Sequence, residues 1–372
     1  MTPKRILLMH ISEVSGHKQA TLAIENAIKA LEPQTEILNI NAFNYTNPIT
    51  EQVINRLYMS VLKRTPGIWE YLYDNPSVVK SIARFKQFVH NHNSPKLKRL
   101  YDNFKPDVIA CSQAFPCGMV ADFKKIYNID VPLVAVLTDY VPHSFWLYEN
   151  VDYYIAPDIE TKNKLAEKGI QGEKIKVLGI PIDPKFSKAY DRKAVCVKLG
   201  LDATKPVILI MGGGHGLGPI KKIIGLTDEI RLDLQIIVVA GINEKLLRWL
   251  EKKKVKFRKK ILGLGFVDNI EELMSVSTLI VTKPGGITTA EALAMGLPMV
   301  IVKPLPGQEE HNTQFLLKLG AAVLVKEEAV IGQTIAALLR QPEEIRKIKE
   351  TARKIAAPNS ATDIAKLLLE LC

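Results

Sequence analysis

The chain has few cysteines and no long hydrophobic run. Its four cysteines are scattered without a Cys-x-x-Cys pair, at Cys111, Cys117, Cys196 and Cys372, so neither a zinc site nor a disulfide framework is predicted. No apolar run reaches the roughly 18 residues that a membrane-spanning helix requires. The short run 6–9 after the basic start favours a first β-strand over a signal peptide, and we therefore expect a cytoplasmic protein.

Several familiar catalytic signatures are absent from the sequence as well. It contains no P-loop, no His-Glu-x-x-His motif and no nucleophile elbow for a Ser-His-Asp triad. Residues 212–218 give only near-matches to Gly-x-Gly-x-x-Gly, and no acidic residue about 20 positions later follows a strand to hold an adenosine ribose. A dinucleotide-dependent oxidoreductase is therefore disfavoured. Clustered carboxylates for a divalent metal are not evident, and we expect neither a metal nor another cofactor.

The formal net charge of +11 indicates a polyanionic partner, which would be nucleic acid, an acidic membrane face or an anionic substrate. Residues 51–105 hold ten Lys/Arg against four Asp/Glu, with aromatic residues between them. This composition fits nucleic acid or a membrane interface, or else a solvated helical face with its own aromatic core stripe. The lysine-rich run 245–260 is poor in aromatics and is typical of a plain solvated surface.

Short apolar segments alternate with helical patterns almost throughout the chain. Such continuous apolar strands are typical of parallel sheets buried on both faces, and the alternation predicts a doubly wound α/β architecture. We expect strands at 6–9, 35–39, 108–111, 133–137, 153–156, 176–178, 206–211, 235–240, 260–264, 278–281, 299–302 and 322–325.

The pattern breaks at 179–184, before a new strand begins near residue 206. We therefore expect a first domain at 1–184, with a helical insertion at about 45–105. A second domain is expected at 185–341. The final helices, at 342–372, can cross back to the first domain.

Three glycine-rich turns follow strands of the second half. They contain Gly212, Gly213, Gly214, His215 and Gly216 after 206–211; Phe266 and Val267 after 260–264; and Gly285 and Gly286 after 278–281. The carboxyl ends of strands form the ligand-binding edge of an open α/β sheet, and a helix N-terminus offers N–H groups to an anion. The helix that opens with Ile287 and Thr288 carries Glu291, whose carboxylate suits sugar hydroxyls. A nucleotide sugar is indicated, although ligand-free tight turns and a core aromatic at 266 remain alternatives.

In the first half, Gly16 and His17 follow the opening strand at the start of a helix. The positive end of a helix dipole disfavours imidazolium and leaves a neutral imidazole that can accept a proton. His17 is thus a candidate general base, or a structural histidine. Asp139 and His143, two further catalytic candidates, follow the strand 133–137. Asp139 is an orienting group, the base itself or a helix cap.

The chain resembles the monogalactosyldiacylglycerol-synthase and processive diacylglycerol β-glucosyltransferase family over nearly its whole length. The segments that carry the likeness include V-T-K-P-G-G-I-T-T-A-E-A-L at 281–293, K-P-L-P-G-Q-E-E-H-N at 303–312 and V-L-T-D-Y-V-P-H-S-F-W at 136–146. The resemblance implies the GT-B fold, in which two Rossmann-like domains face a cleft. It also implies inverting transfer of a hexose, glucose in the bacterial branch, from a UDP-sugar to diacylglycerol or a glycosyl-diacylglycerol.

On this resemblance, the glycine turn at 212–216 and the residues Gly285 to Thr288 face the diphosphate, and Phe266 and Val267 bracket the uracil. Glu291 holds the ribose, while Gln308 and Glu309 hold the sugar. The implied acceptor is a lipid at an anionic membrane surface, the inner face of the cell membrane, with no nucleic acid partner. The candidate acceptor and membrane residues are Gly16, Lys63, Arg64, Trp69, Arg84, Lys86 and Trp146.

Three other functions remain open from the sequence. The first is transfer of N-acetylglucosamine to a lipid-linked peptidoglycan precursor. The second is epimerisation of a UDP-sugar on the same two-domain scaffold. The third is a nucleotide-sugar sensor without turnover.

Overall fold

The computed structural model describes residues 3–46 and 94–372. The candidate membrane residues Lys63, Arg64, Trp69, Arg84 and Lys86 lie outside the described residues, as does most of the expected insertion. By their contacts, the residues divide into two compact units. The first unit is Met1–Pro184 with Leu305–Gln308 and Asn359–Cys372, and the second is Lys185–Pro304 with Glu309–Pro358.

The first unit is built on a six-stranded parallel sheet of order β2-β1-β3-β4-β5-β6. Its strands are β1 Arg5–His10, β2 Glu36–Asn41, β3 Val108–Cys111, β4 Leu133–Val136, β5 Tyr153–Ala156 and β6 Ile175–Val177. Side chains alternate across β1, so Ile6 and Leu8 enter one core cluster while Leu7 and Met9 enter another. Both faces of this sheet are thus buried, which explains why its strands read as continuous apolar runs.

Helices cover the two faces of the first sheet. The helix Gly16–Leu31 packs against the last helix, Ser360–Glu370, through residues such as Ile24 and Ile364. The other helices of this unit are Ala42–Thr46, the helical residues 94–104, Ala114–Tyr127 and Ile159–Glu167.

The second unit has its own six-stranded parallel sheet, of order β12-β11-β10-β7-β8-β9. Its strands are β7 Val207–Met211, β8 Gln235–Val239, β9 Lys260–Leu264, β10 Leu279–Thr282, β11 Met299–Val302 and β12 Ala322–Val325. Its helices are Arg192–Lys198, Ile220–Asp228, Glu244–Lys253, Ile270–Val276, Gly286–Ala294, Gln308–Leu319 from Glu309 onward, Ile331–Leu339 and Pro342–Ile355. All twelve predicted strands are confirmed. Central strands such as β7 and β11 are uninterrupted, fully buried apolar runs, whereas β2, β6 and β9 are only partly buried.

The final segment, 342–372, is shared between the units. The helix Pro342–Ile355 belongs to the second unit, and the first unit resumes only at Asn359. Pro358 lies at this change, and a proline disfavours helical backbone in the residue before it. The buried Ser360 hydroxyl then donates to the Ile180 carbonyl at 2.8 Å and accepts from the Ile182 N–H at 3.3 Å. This serine ties the start of the last helix to the 180–182 segment.

Across residues 3–46 and 94–372, no helix is both long enough and apolar enough to cross a bilayer. The lysine-rich run near residue 252 is exposed, and Val255 within it is 92% exposed. Its exposure agrees with the solvated surface that the sequence favoured.

Candidate active site

The glycine turns of the second unit lie at one edge of its sheet. They follow β7, β9 and β10, and parallel strands end at the same edge. The sheet order places β8 between β7 and β9, so the turn 240–243 after β8 also belongs to this edge. Sequence reasoning missed this fourth turn, although Gly241 after an apolar strand was a signal for it.

The turn after β7 packs closely against the turn after β8. Gly216 has φ +56°, and a Cβ there would lie 2.2 Å from the Ala240 carbonyl oxygen. Gly241 has φ +57°, and its Cβ would lie 2.1 Å from the Gly214 carbonyl oxygen. The Ile242 N–H donates to the same Gly214 oxygen at 2.9 Å. Packing between backbones therefore accounts for Gly216 without any ligand.

The remaining glycines of that turn differ in their surroundings. A Cβ on Gly212 would lie 2.0 Å from the Leu217 carbonyl oxygen, so this glycine is also required by the fold. Gly213 has φ +69° but faces open space, with nothing within 4 Å of its Cβ position. His215 is half-buried beside it. Gly213 thus has room beside it for a ligand, as does Gly218 further along the turn.

The helix Gly286–Ala294 begins with an N-terminus that no side chain caps. Gly285 is its N-cap, with φ −63° and ψ 142°, and a Cβ at Gly285 would meet nothing within 4 Å. Neither backbone strain nor packing requires glycine here. No side-chain hydrogen bond caps the first-turn N–H groups, and an uncapped helix N-terminus suits an anion. Thr288 and Glu291 lie three residues apart on one partly exposed face of this helix.

An ion pair joins the turn after β10 to the helix after β11. The Lys283 Nζ lies 2.9 Å from the Glu309 Oε1, and the two side chains are 14% and 16% exposed. The Asn312 side-chain amide, which is fully buried, donates to the Pro284 carbonyl at 2.9 Å. Sequence reasoning named Glu309 but missed Lys283 and Asn312, although both stand inside the segments 281–293 and 303–312.

Phe266 lies after β9 and is 57% exposed, while Val267 is half-buried. The alternative of a core aromatic at this position is therefore wrong. An exposed aromatic ring at a ligand-binding edge offers a face on which a flat base can stack.

In the first unit, His17 lies in the first turn of the helix Gly16–Leu31, which Ser15 caps. Its Nδ1 lies 2.9 Å from the Ser112 carbonyl oxygen and 3.1 Å from the Thr138 Oγ1. A carbonyl only accepts hydrogen bonds, so Nδ1 carries the proton and donates. The Nε2 atom then carries the lone pair, which is the arrangement that a proton acceptor needs.

Burial lowers the pKa of His17 to about 4, although the hydrogen bond to Ser112 opposes the shift. The neighbouring His10 lowers this pKa further. His17 is consequently neutral at pH 7. The sequence attributed a neutral imidazole to the helix dipole, whereas burial is the main cause.

His10, at the end of β1, is a second neutral imidazole that sequence reasoning missed. It is 3% exposed, and burial lowers its pKa. Its Nδ1 lies 3.1 Å from the Asn39 Oδ1, and the Asn39 amide donates to Glu25 at 2.9 Å. A polar residue at the end of an otherwise apolar strand was its only signal in the sequence.

Asp139 follows β4, and no helix begins at this residue, so the alternative of a helix cap is wrong. The Gln308 side-chain amide donates to the Asp139 carboxylate at 3.0 Å within the first unit. The hydrogen bond joins a residue expected to bind the sugar to one expected to act in catalysis. His17 lies beside Thr138, the residue that precedes Asp139.

The aromatic segment after Asp139 is largely packed inward. The ring of His143 lies 5.7 Å from that of Phe145 and 5.9 Å from that of Trp146. Trp146 is 4% exposed and belongs to the core of the first unit, so its expected contact with an acceptor or a membrane is corrected here. Gly16, by contrast, is exposed at the start of its helix.

No group of three or more His, Cys, Asp or Glu side chains within the described ranges is placed to hold a metal ion. The expectation that the protein uses neither a metal nor another cofactor stays a prediction.

The two halves of the chain match two known family models. Residues 17–182 match monogalactosyldiacylglycerol (MGDG) synthase, and residues 207–368 match the glycosyltransferase family 28 C-terminal domain. The processive diacylglycerol beta-glucosyltransferases of Bacillus pumilus and Bacillus subtilis are each 30% identical to this chain over 372 residues. The matches cover 99% of this chain and 95% and 96% of those proteins. The chain belongs to this family. It is a glycosyltransferase, as the sequence predicted.

Solved structures share the fold at much lower identity. MurG of Acinetobacter baumannii aligns with a TM-score of 0.64 at 15% identity, over 99% of this chain and all of that one. The UDP-GlcNAc 2-epimerase of Neisseria meningitidis bound to UDP-GlcNAc aligns with a TM-score of 0.62 at 15% identity, over 98% of this chain and 100% of that one. These likenesses confirm the predicted two-domain α/β architecture of the GT-B kind. Because an epimerase shares it, the fold does not separate the functions that the sequence left open, whereas family membership does.

Each unit offers its own chemistry at the edge of its sheet. The second unit presents an uncapped helix N-terminus, which suits an anion. The first unit presents a neutral imidazole whose Nε2 can accept a proton.

Proposed function

We propose that the protein transfers a hexose, glucose, from a UDP-sugar to diacylglycerol or a glycosyl-diacylglycerol at the cytoplasmic face of the membrane. One observation carries this proposal. The chain is 30% identical over essentially its full length to proteins named processive diacylglycerol beta-glucosyltransferase.

The donor site of the second unit supports a nucleotide sugar. Its open space lies in front of Gly213 and before the uncapped helix at Gly285, where a diphosphate can accept from several N–H groups. Phe266 and Val267 lie at the same edge for the uracil, and Glu291 for the ribose. A solved neighbour of like fold, Anabaena HepE, is described in complex with UDP-glucose.

The proposed reaction is a single displacement with inversion. The oxygen of the acceptor hydroxyl forms a bond to the anomeric carbon on the face opposite UDP, while the bond from that carbon to the phosphate oxygen breaks. The acceptor proton passes to the Nε2 of His17, because its Nδ1 already donates to Ser112. UDP leaves with the bonding electrons, and the N–H groups at the start of helix 286–294 stabilise its charge.

Asp139 and His143 have supporting roles in this proposal. Asp139 accepts a hydrogen bond from Gln308, which suits a group that orients the loop bearing the sugar contacts. His143 packs against Phe145 and Trp146 and holds the segment after β4 in place.

We also propose that the region 51–105 docks the enzyme on an anionic membrane. This part of the proposal rests on its excess of Lys/Arg and its aromatic residues. Binding to phosphatidylglycerol vesicles should weaken on charge reversal of Lys63, Arg64, Arg84 and Lys86. Binding that ignores both the anionic lipid content and the charge reversal would contradict this docking.

The deciding experiment incubates the purified protein with labelled UDP-glucose or UDP-galactose and vesicles, with and without diacylglycerol. Glycolipid products are separated by thin-layer chromatography, and UDP release is measured in parallel. The proposal predicts a glucolipid, and UDP release that requires diacylglycerol. Conversion of the UDP-sugar to its epimer without a lipid acceptor and without net UDP release would indicate an epimerase, and binding without turnover would indicate a sensor.

A single substitution tests whether His17 is the general base. His17→Ala should lower turnover by roughly 100-fold or more while UDP binding is retained. Near-normal turnover of this variant would transfer the role of base to Asp139 or His143.

A further inference from the structure

We propose that Lys283 is a positioning residue that sets sugar selection by holding the carboxylate of Glu309 in place. The inference rests on the proposed function, because it takes a UDP-sugar as the donor and Glu309 as a sugar contact. Lys283 itself is not required to touch the donor.

The first support is the environment of the ion pair. Lys283 and Glu309 are 2.9 Å apart and only 14% and 16% exposed. Most other ion pairs of the second unit have at least one well-exposed partner; in the pair Lys205–Asp233, for example, the side chains are 37% and 72% exposed. A shielded pair is screened less by water and salt than an exposed one. Removal of the lysine would therefore leave a poorly solvated carboxylate, which would turn towards another partner.

The second support is a parallel tie one helical turn along. Asn312 lies three residues after Glu309, so both side chains leave the same face of the helix Gln308–Leu319. The fully buried Asn312 amide donates to the Pro284 carbonyl at 2.9 Å. Adjacent residues of the turn, Lys283 and Pro284, are thus each held by a residue of that helix face.

The turn itself leads directly into the uncapped helix. The Gly285 N–H donates to the Lys283 carbonyl at 2.9 Å, which closes a three-residue turn. Lys283 is therefore fixed at both ends, by its backbone to the start of helix 286–294 and by its side chain to Glu309. Through Lys283, the position of Glu309 is fixed relative to the helix N-terminus at which the diphosphate is proposed to bind.

Such coupling has a consequence for specificity. A carboxylate discriminates between sugars that differ in the direction of one hydroxyl only if its oxygens are held in one orientation. The salt bridge to Oε1 restrains the position of that oxygen. Lys283 would then affect the sugar without affecting the nucleotide.

The test measures binding of UDP and of UDP-glucose by calorimetry, together with the ratio of glucose to galactose transfer. Lys283→Met should weaken UDP-glucose binding by about tenfold or more, as expected for a misplaced charge-assisted contact, and leave UDP binding within about twofold. The preference for glucose should fall. Lys283→Arg should retain much of the preference for glucose. The double variant with Lys283→Met and Glu309→Gln should bind UDP-glucose no more weakly than either single variant.

Lys205→Met, which breaks the exposed ion pair with Asp233, is the matched control. It should change neither the binding of UDP-glucose nor the preference for glucose. A purely structural role for Lys283 would weaken UDP and UDP-glucose equally, or would lower thermal stability without changing the sugar preference; either result overturns the inference. If Lys283→Met fails to fold, Lys283→Gln takes its place with the same expected results, and an unchanged sugar preference in that variant also overturns the inference.

Failure of this inference differs from failure of the proposed function. If the unaltered enzyme transfers no sugar from UDP-glucose, the proposed function fails. If it transfers glucose and Lys283→Met retains the full sugar preference, only the role of Lys283 is refuted.

Discussion

The substitution Gly285→Ser separates a structural glycine from one that keeps space for a ligand. Gly285 caps the helix Gly286–Ala294 with φ −63° and ψ 142°, a backbone conformation that serine adopts readily, and an added Cβ meets nothing within 4 Å. Serine is a better N-cap than glycine by a few tenths of a kcal/mol. Loss of glycine also reduces the entropy of the unfolded chain, by about 0.4–1 kcal/mol. The free energy of unfolding should therefore rise by about 1 kcal/mol.

The same serine should weaken nucleotide binding. Its hydroxyl would accept from the N–H of Ile287 or Thr288, the positions that an N-cap side chain reaches. That N–H would no longer be available to a phosphate oxygen. One charge-assisted hydrogen bond contributes about 1.5–3 kcal/mol, so UDP should bind at least about tenfold more weakly.

Urea unfolding and calorimetric titration with UDP measure the two effects on the same preparation. Gln341→Ser is the matched control, because Gln341 also caps a helix, Pro342–Ile355, without a side-chain hydrogen bond. It should raise stability and leave UDP binding unchanged. If Gly285→Ser raises stability but UDP binds as before, the diphosphate does not rest on this helix, and the donor site is wrong.

Three further predictions concern burial. The pKa of His17 is about 4 when folded against an ordinary 6.5, so its contribution to stability is complete above pH 6.5 and lost as the pH falls towards 4. In urea unfolding, the unaltered protein should therefore lose roughly 3 kcal/mol more than His17→Gln between pH 7 and 4. The buried Thr289 hydroxyl has no hydrogen-bond partner within the described residues, so Thr289→Val should raise the free energy of unfolding by about 1 kcal/mol. By contrast, Thr227→Val, which removes a 2.8 Å hydrogen bond, should lower it. Ser360→Ala should cost about 1–3 kcal/mol because it removes two buried hydrogen bonds, while the exposed Ser187→Ala should cost under about 0.5 kcal/mol.

The fold was predictable because a strand that is buried on both faces of a sheet appears in the sequence as a short apolar run. Segments such as 108–111 and 299–302 are uninterrupted apolar runs, and the structure begins and ends these strands at the same residues. The change of unit after the helix Pro342–Ile355 was less accessible. A terminal helix that joins another unit has the same amphipathic pattern as one that does not.

The composition of the site was predictable from the sequence, but the role of each residue in it was not. Glycine appears identical in sequence at 216, where the turn after β8 requires it, and at 285, where nothing in the fold does. Trp146 looked like an interfacial aromatic because burial of a ring depends on partners distant in the chain. The tautomer of His17 depends on the carbonyl of Ser112, 95 residues away. Each of these properties depends on contacts between residues distant in the chain, which the sequence alone does not show.

The low pKa of His17 has a mechanistic consequence for the proposed displacement. A base whose pKa is about 4 takes a proton from an alcohol only after the alcohol oxygen has begun to bond to the anomeric carbon and has become acidic. Proton transfer would then lag behind departure of the diphosphate, so charge would accumulate on the leaving group before His17 is protonated. The N–H groups at the start of the helix Gly286–Ala294 would carry more of the catalytic stabilisation than the base. On this view, the burial that lowers the pKa of His17 shifts the energetic demand of the reaction to the groups that stabilise the departing diphosphate.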